Sequence, residues 1–314
     1  MLRILVTGGA GFIGSHIVDA FVAAGHEVAV VDSFWSQGGG RRANLNPKAT
    51  LHELDIRDAK LIDVFTGFRP HIVSHHAAQH SVSISTKDPF YDADVNVRGL
   101  LNVLTAADKT SVKKVIFASS AATYGAPQYL PIDEVHPQVP QSPYGITKMV
   151  AEHYLRYFCT AGTMRFTALR YGNVYGPRQD PNGEAGVIAI FSEQILKGSP
   201  IRIDWDGEQQ KDYVYVGDVA AANVQALERA DAEAINIGTA VGTSVNELHR
   251  LIARAVGRDV DVVAAAKRPG DVYRCIFAVE KADRELGWKP KTDLVAGIAT
   301  TTNYFRSAST APSA

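Results

Sequence analysis

The segment Tyr-Gly-Ile-Thr-Lys at positions 144–148 carries two side chains suited to acid–base chemistry. On a helix, residues four apart lie on one face, so the Lys148 ammonium can stabilise a Tyr144 phenolate. A free tyrosine has a pKa near 10, and its use as a base near pH 7 requires a lowering of about three units, on the order of 4 kcal/mol. Lys148 can supply part of this lowering. Taken alone, the same spacing also fits an ordinary exposed pair one helical turn apart.

Glycines stand at 8, 11 and 14 in Thr-Gly-Gly-Ala-Gly-Phe-Ile-Gly, between a predicted strand and a predicted helix. Gly8 suits a tight turn, Gly11 lets a pyrophosphate approach the backbone, and Gly14 allows close contact of helix and strand. Asp32 ends the next predicted strand, where a carboxylate accepts a hydrogen bond from a ribose 2′-hydroxyl and repels a 2′-phosphate. The pattern predicts an NAD site, with an ordinary strand-to-helix turn as the alternative. An oxidised nicotinamide would add its positive charge to that of Lys148 beside Tyr144.

Both motifs need a scaffold, and the N-terminal half alternates short β-branched runs with helical patterns, as βαβ units do. Predicted strands span residues 2–7, 27–32, 50–54, 71–75, 112–118 and 165–171, and predicted helices span 12–24, 88–107 and 142–159. This alternation predicts an α/β fold with a Rossmann-type, doubly wound parallel sheet.

The composition changes after Tyr171, where glycine and proline become frequent. We therefore assign residues 1–171 to an NAD-binding Rossmann domain and residues 172–306 mainly to a smaller C-terminal α/β domain that binds the substrate. A strand at 234–238 is expected to return to the first sheet. The glycine-rich stretch 37–42 is expected to be a loop, and residues 307–314 a disordered tail.

The charge balance of the 314 residues excludes several classes of protein. Lys and Arg number 32 against 33 Asp and Glu, for a net charge of -1, which argues against nucleic acid as a partner. The chain has neither a signal-peptide pattern nor the roughly 18 to 20 apolar residues of a membrane span. Cys159 and Cys275 are far apart, so neither a disulfide framework nor a metal site is expected, and two unpaired thiols suit a reducing cytoplasm.

Six segments follow one another in the order typical of the extended short-chain dehydrogenase/reductase family, and together they resemble its UDP-glucose 4-epimerases. They are the glycine motif, Ser-His-His-Ala-Ala-Gln (74–79), Phe-Ala-Ser-Ser-Ala-Ala-Thr-Tyr-Gly (117–125), Ser-Pro-Tyr-Gly-Ile-Thr-Lys (142–148), Arg-Tyr-Gly-Asn-Val-Tyr-Gly-Pro-Arg (170–178) and Arg-Pro-Gly-Asp (268–271). The resemblance runs from Leu2 to about Arg306. The ordered series is far more specific than any one of its members.

The resemblance implies a mechanism. In this family the residue matching Tyr144 removes the proton of the sugar 4-hydroxyl while hydride passes from C4 to NAD, the residue matching Ser120 hydrogen-bonds the same oxygen, and the lysine matching Lys148 holds the nicotinamide ribose. The 4-keto sugar then turns over and takes the hydride back on its other face, so NAD is a bound catalyst. The implied cofactor contacts are Gly8, Gly11, Phe12, Ile13, Gly14, Asp32, Asp55, Ile56, Ala77, Ala78, Gln79, Tyr144 and Lys148.

The resemblance also implies UDP-sugar contacts at Ser120, Tyr144, Asn173, Gly186, Val187, Lys211, Arg268, Asp271 and Cys275. Alternatives remain for three of them: a surface ion pair for Arg268, a turn residue for Asn173 and a buried structural thiol for Cys275. The family commonly has Arg where this chain has Lys211. At the Cys275 position, a bulky Tyr excludes N-acetylated sugars, so the small Cys275 predicts turnover of UDP-N-acetylglucosamine.

The leading prediction is NAD-dependent 4-epimerisation of UDP-glucose and UDP-galactose, extending to their N-acetyl forms. A UDP-glucuronate 4-epimerase or a related nucleotide-sugar dehydratase or reductase is the alternative. Residues 121–123 lack the acids that dehydratases use, and Asp180 would repel a uronate if it faces the sugar. A catalytically silent NAD sensor is disfavoured, because such a protein is expected to lose Tyr144 or Lys148. In the family, helices matching 88–107 and 142–159 pair across a two-fold axis, which implies a homodimer.

Overall fold

The computed structural model describes residues 1–35, 38–182, 186–267 and 272–310. In chain order, the strands are β1 (Arg3–Thr7), β2 (Glu27–Asp32), β3 (Thr50–Glu53), β4 (Ile72–His75), β5 (Lys114–Ser120), β6 (Arg165–Tyr171), β7 (Asn173–Tyr175), β8 (Ile201–Asp204), β9 (Gln210–Tyr215), β10 (Glu233–Ile237), β11 (Gly242–Ser244), β12 (Val262–Ala265) and β13 (Arg274–Cys275). The helices are α1 (Phe12–Ala23), α2 (Leu61–Phe68), α3 (Val82–Lys87), α4 (Pro89–Ala93), α5 (Gly99–Lys109), α6 (Pro143–Ala161), α7 (Val187–Lys197), α8 (Val216–Gln225), α9 (Val245–Val256) and α10 (Leu294–Thr310), with π-helical turns at Asp94–Arg98 and Ala282–Leu286.

A seven-stranded sheet in the order β10-β6-β5-β4-β1-β2-β3 forms the centre of the fold, and all its neighbouring strands are parallel. The Rossmann-type α/β fold predicted from the alternating pattern is therefore confirmed. The order reverses between β1 and β4, which opens a crevice at their carboxyl ends. The glycine turn after β1 and the segment after β4 both lie at this crevice.

Helices cover both faces of the sheet, because its strands are apolar on both sides. Ile4 and Val6 of β1 pack toward α1 and α8, in a cluster with Phe21 and Val219. Leu5, between them in the chain, belongs to the opposite cluster with residues of α2, α5 and α6. The strand that precedes the glycine turn is thus held from both sides.

The remaining strands form two small sheets beside the carboxyl edge of the large one. β9 pairs with β7, β11 and β13, and β8 pairs with β12. Helices α7, α9 and α10 pack together over a third apolar cluster, which includes Ile188, Leu248 and Ile298. β10 lies at the edge of the large sheet, where Ala234 is in register with Ala168 of β6. None of the described helices is long and apolar enough to cross a membrane.

Three elements differ from the sequence predictions. The helix predicted over 88–107 is divided into α4, a π-helical turn and α5; Asp94 in that turn binds Arg57 at 2.7 Å, a contact that no local pattern encodes. The strand predicted over 112–118 begins two residues later, because the Val112 amide donates to Ala107 at the end of α5. Residues 307–310 of the predicted disordered tail continue α10, where the Ser307 hydroxyl donates to the Asn303 carbonyl; residues 311–314 lie outside the described chain.

Candidate active site

Tyr144, Lys148 and Ser120 meet at the carboxyl end of β5. Helix α6 begins beside it because the Ser142 hydroxyl accepts from the Gly145 amide at 3.1 Å and Pro143 fills the first helical position. Tyr144 therefore lies in the first turn, near enough to Ser120 for the serine hydroxyl to lower the Tyr144 pKa. Lys148, one turn later, has its Nζ 5.7 Å from the centre of the Tyr144 ring. The predicted catalytic residues form one cluster.

Burial dominates the electrostatics of this cluster. It raises the pKa of Tyr144 to about 12, against the lowering effect of the Ser120 hydrogen bond. It lowers the pKa of Lys148 to about 8, against the opposing charge of Asp92. The sequence led us to expect that Lys148 lowers the Tyr144 pKa, but among the chain's own groups burial has the largest effect and raises it. The Lys148 Nζ instead donates to the Ala118 carbonyl at 2.8 Å.

The glycine turn has no space for a side chain at Gly8 or Gly14. Gly8 has a φ of +70°, and a Cβ there would lie 2.7 Å from the Ala77 amide nitrogen. A Cβ on Gly14 would lie 2.1 Å from the Gly8 carbonyl oxygen. Helix α1 starts at Phe12 after Gly11 without a side-chain cap, so its first amides are directed toward the crevice. A pyrophosphate fits here, because helix amides and the helix dipole favour an anion.

Asp32 and Asp55 line the same edge of the sheet. The Asp32 carboxylate accepts hydrogen bonds from the amides of Ala10 and Phe34, both at 3.0 Å. These bonds fix the carboxylate beside the glycine turn and leave lone pairs for a ribose hydroxyl. Asp55 binds Arg57 at 2.6 Å, and that guanidinium holds the Asp55 pKa below its usual range. Ile56 is 5% exposed, so the backbone of this pair is the part suited to an adenine contact.

Ala77, Ala78 and Gln79 follow β4 across the crevice. The Ala77 amide donates to the Thr7 hydroxyl at 3.2 Å, which ties this segment to β1. Gln79 is 1% exposed, and each of its backbone and side-chain polar groups already has a partner within the protein. Gln79 therefore holds the segment in place, whereas Ala77 and Ala78 are the positions with more exposed surface.

Two partners of Gln79, Asp92 and Asn96, were not predicted from the sequence, and together with Thr147 they form a buried polar group between this segment and α6. A sequence signal did exist for Thr147, which stands between Tyr144 and Lys148. Asp92 and Asn96 lie in the predicted helix 88–107, where a polar residue is normally assigned to the solvent face. Only packing brings them inside.

The predicted substrate residues fall on several elements around the crevice. Asn173 begins β7, and Gly186 and Val187 begin α7. Lys211 on β9 is in register with Cys275 on β13, so these two predicted contacts are neighbours. Arg268 and Asp271 lie outside the described residues.

The structure defines the surroundings of two of these predicted substrate residues, Cys275 and Lys211. Burial raises the pKa of Cys275 to about 11, so it is a neutral thiol. The Lys211 ammonium donates to the Val272 carbonyl and would have to turn from it to meet a diphosphate. Asp180 binds Arg41 of the glycine-rich loop at 3.2 Å, so its charge is partly neutralised and is a weaker argument against a uronate.

A cavity of about 630 Å³ opens beside β13. Its walls include Trp205 and Tyr273, whose rings pack edge to face at 4.8 Å, and the Lys267 Nζ lies 4.1 Å from the Trp205 ring. Arg274, Gln141 and Gln128 are among the other polar residues of the lining. Aromatic rings beside cations suit a planar group that carries negative charge. No sequence motif pointed to Trp205 or Tyr273.

Comparison with known proteins shows which family this chain resembles in sequence and structure. The model of the NAD dependent epimerase/dehydratase family matches residues 4–238. The putative UDP-glucose 4-epimerase of Methanocaldococcus jannaschii is 45% identical over 96% of this chain and 98% of its own. The crystal structure of the Thermotoga maritima UDP-glucose 4-epimerase with UDP-glucose has a TM-score of 0.95 and 46% identity, covering 98% of this chain and 99% of that one. The Thermus thermophilus UDP-glucose 4-epimerase in complex with NAD has a TM-score of 0.93 and 43% identity, covering 98% and 100%.

Proposed function

Because this chain belongs to the NAD dependent epimerase/dehydratase family, we propose that it is an isomerase that interconverts UDP-glucose and UDP-galactose by inverting C4, with NAD as its cofactor. The observation that carries this proposal is the cluster of Tyr144, Lys148 and Ser120 at the same sheet edge as the glycine turn. Relatives of nearly full length that act on UDP-glucose support it.

The residues divide the chemistry between them. Tyr144 takes the proton of the sugar 4-hydroxyl and later returns a proton to the same oxygen of the 4-keto sugar. Ser120, whose hydroxyl lowers the Tyr144 pKa, also binds that oxygen and aligns it. The protonated Lys148 stabilises the phenolate form of Tyr144. NAD, when bound, supplies reversible hydride acceptance at C4, so the net reaction is redox-neutral.

The glycine turn is the proposed pyrophosphate site of the cofactor. Gly8, Gly11 and Gly14 let the pyrophosphate come close to the backbone, and the amides of Phe12 and Ile13 donate hydrogen bonds to it. At the adenosine end, Asp32 binds the ribose hydroxyl and selects NAD over NADP. Asp55 and Ile56 lie by the adenine, and Ala77 and Ala78 contact the cofactor across the crevice. Gln79 acts by holding this segment.

The nucleotide sugar is proposed to bind between the large sheet and the small one. Lys211 and Arg268 meet the diphosphate, where a guanidinium can bind in a bidentate manner. Asn173, Gly186, Val187 and Asp271 complete the contacts. Cys275 leaves room for a 2-acetamido group, so the proposed substrates include UDP-N-acetylglucosamine and its 4-epimer.

A homodimer in the cytoplasm is the proposed form of the enzyme. The segment containing α4 and α5 packs against α6, and this pair of elements exposes apolar side chains: Phe90 is 87% exposed, Tyr157 62% and Ile146 45%. A second copy would cover them. Light scattering should give twice the chain mass for wild type, and Phe90→Asp should shift it toward a single chain. Both cysteines are free thiols, which suits a reducing compartment.

The test of the reaction is a panel of UDP-glucose, UDP-galactose, their N-acetyl forms and UDP-glucuronate, each incubated with the NAD-loaded enzyme, followed by product identification. The 4-epimer is expected without net NADH. Tyr144→Phe should abolish turnover while retaining NAD. Epimerisation by that variant near the wild-type rate would overturn the proposed role of Tyr144. Turnover of UDP-glucuronate alone would instead assign the enzyme to the uronate series.

A further inference from the structure

Asp92 is a buried carboxylate that the mechanism above does not use. Its residue is 0% exposed, and it accepts three hydrogen bonds from neutral donors. Gln79 Nε2 donates to it at 2.7 Å, Asn96 Nδ2 at 3.0 Å and Thr147 Oγ1 at 2.9 Å. Burial raises the pKa of the Asp92 carboxyl above its ordinary value, whereas the hydrogen bonds from Thr147 and Gln79 and the charge of Lys148 lower it. The three donors therefore favour the ionised form against the cost of burial. This arrangement is costly to build, so its location has to be explained.

The donors connect the two halves of the proposed site. Gln79 ends the cofactor segment after β4, and Asn96 clamps the Gln79 backbone by donating to its carbonyl and accepting from its amide, both at 2.9 Å. Thr147 lies between Tyr144 and Lys148 on α6, and its Oγ1 is also 3.0 Å from the Tyr144 carbonyl. Asp92 thus joins the helix that carries the base to the segment that faces the cofactor.

The charge of Asp92 acts on the same helix. It raises the pKa of Lys148, which burial lowers, and it raises the pKa of Tyr144. The other titratable groups around α6 are His75 and His76 from β4 and the segment after it, Asp94 and Arg98 from the π-helical turn, Lys87 from α3, and the mutually paired Glu152 and Arg170. Both histidines have a pKa lowered to about 3 and are neutral near pH 7, and Asp94 is paired with Arg57 and Arg98.

We propose that Asp92 is a positioning residue for the epimerase reaction, which sets α6 against the cofactor segment through Thr147 and Gln79 and keeps the Lys148 ammonium charged. This inference rests on the proposed function. The active form requires a Tyr144 phenolate and a protonated Lys148. Removing the Asp92 charge makes both groups lose their protons at lower pH, so both limbs of the pH–rate profile should move in the acid direction.

Asp92→Asn is the informative variant because an amide keeps the shape and the hydrogen bonds. Its oxygen can accept from Gln79 and Asn96, while Thr147 can accept from its NH₂ and donate to the Tyr144 carbonyl. We expect the pH optimum of kcat/KM to fall by at least about half a pH unit, with the melting temperature and NAD content nearly unchanged. Asp94→Asn, which removes a partly exposed carboxylate two residues away, should leave the profile in place.

A second readout does not need turnover. In the NAD-bound enzyme, the tyrosinate absorbance that is lost in Tyr144→Phe reports the ionisation of Tyr144, and Asp92→Asn should shift this difference titration to lower pH. Thr147→Val removes the hydrogen bond from Thr147 to Asp92 and leaves the Asp92 charge in place. It should therefore lower kcat at least fivefold without moving the limbs of the pH–rate profile. Thr147→Ser keeps the hydroxyl and should restore kcat.

The outcomes separate the two proposals. A wild-type enzyme that converts no UDP-hexose contradicts the proposed function. If the wild-type enzyme converts a UDP-hexose but Asp92→Asn shifts neither the pH–rate profile nor the tyrosinate titration, only the proposed role of Asp92 is overturned. If Asp92→Asn fails to fold, a Thr147→Val variant with wild-type kcat overturns it as well.

Discussion

Lys148 Nζ donates a 2.8 Å hydrogen bond to the carbonyl oxygen of Ala118. Ala118 lies two residues before Ser120 on β5, so one strand both orients the ammonium and presents the serine hydroxyl. The carbonyl is a neutral partner, which lets Lys148 keep its full charge for Tyr144. The position of the cation is therefore fixed by backbone and does not depend on a carboxylate in direct contact.

Lys148→Met is expected to separate activity from stability. Burial lowers the Lys148 pKa to about 8 from its usual 10.5, so the unfolded state holds the proton more tightly between these values. The ammonium then costs stability at pH 7, and that cost fades as the pH rises through this window. The variant should lose at least about 100-fold in kcat and melt at an equal or higher temperature at pH 7. A drop in both kcat and melting temperature would contradict this account.

The local parts of this site could be predicted from sequence. Tyr144 and Lys148 sit one helical turn apart, and the glycines at 8, 11 and 14 act within a single turn, so spacing alone carried the information. The role of Gln79 could not be read in the same way. Its polar groups are satisfied by residues as distant in the chain as Asn96, and only the packed fold shows that.

The ionisation state of Tyr144 also could not be predicted from the sequence. The spacing of Tyr144 and Lys148 predicts that the lysine stabilises the phenolate, but it says nothing of burial, which raises the Tyr144 pKa to about 12. The sequence likewise identified β5 without its last two residues, because Ser119 and Ser120 are polar. Their pairing with Arg170 and Tyr171 on β6 extends the strand to Ser120.

Gly14→Ala should abolish NAD binding with a folded chain remaining. The added methyl would lie 2.1 Å from the Gly8 carbonyl oxygen, which forces the start of α1 away from the turn. Calorimetry should show at least a 100-fold weaker Kd for NAD. Gly67→Ala is the matched control, because a Cβ there has nothing within 4 Å and sits in α2, where alanine is favoured by about 0.5 to 1 kcal/mol. Wild-type NAD affinity in Gly14→Ala would rule out this phosphate site.

Cys275→Tyr should narrow the substrate range. Cys275 is a neutral thiol in register with Lys211, and a phenol ring in its place would fill the space proposed for a 2-acetamido group. The ratio of kcat/KM for UDP-N-acetylglucosamine to that for UDP-glucose should fall at least tenfold, the effect of a steric clash of about 1.4 kcal/mol. Cys275→Ser keeps a small side chain and should keep the ratio. An unchanged ratio in Cys275→Tyr would show that the size of residue 275 does not control access of N-acetylated sugars.

Acid should destabilise the protein through His75 and His76. Burial lowers both pKa values to about 3 from 6.5, so the unfolded state binds two more protons than the folded state between these values. Stability is present above pH 6.5 and is lost as the pH falls, with a slope approaching about 2.7 kcal/mol per pH unit. His75→Asn, which can keep a contact with the Thr7 hydroxyl, should halve this slope in urea titrations. The exposed His153, changed to Asn, should leave it unaltered.

Glu152 and Arg170 form a buried ion pair beside β5. Their side chains are 4% and 3% exposed, and the two contacts between them are 2.6 and 2.9 Å. The Ser119 hydroxyl also donates to Glu152 at 2.6 Å. Removing the carboxylate would leave the Arg170 guanidinium buried without its anion. The resulting loss of folding free energy is larger than the net stabilisation that the intact ion pair provides.

Glu152→Ala is therefore expected to lower the free energy of unfolding by about 3 to 5 kcal/mol, measured by urea titration at pH 7. Glu152→Leu combined with Arg170→Met removes both charges and should recover most of that loss, because no unpaired ion remains. Glu193→Ala breaks the exposed pair with Lys197 on α7 and should cost no more than about 0.5 kcal/mol. A double variant no more stable than Glu152→Ala would mean that lost packing, and not the uncompensated charge, causes the loss of stability. In that case the position of Ser120 on β5 would depend on side-chain packing and not on the ion pair.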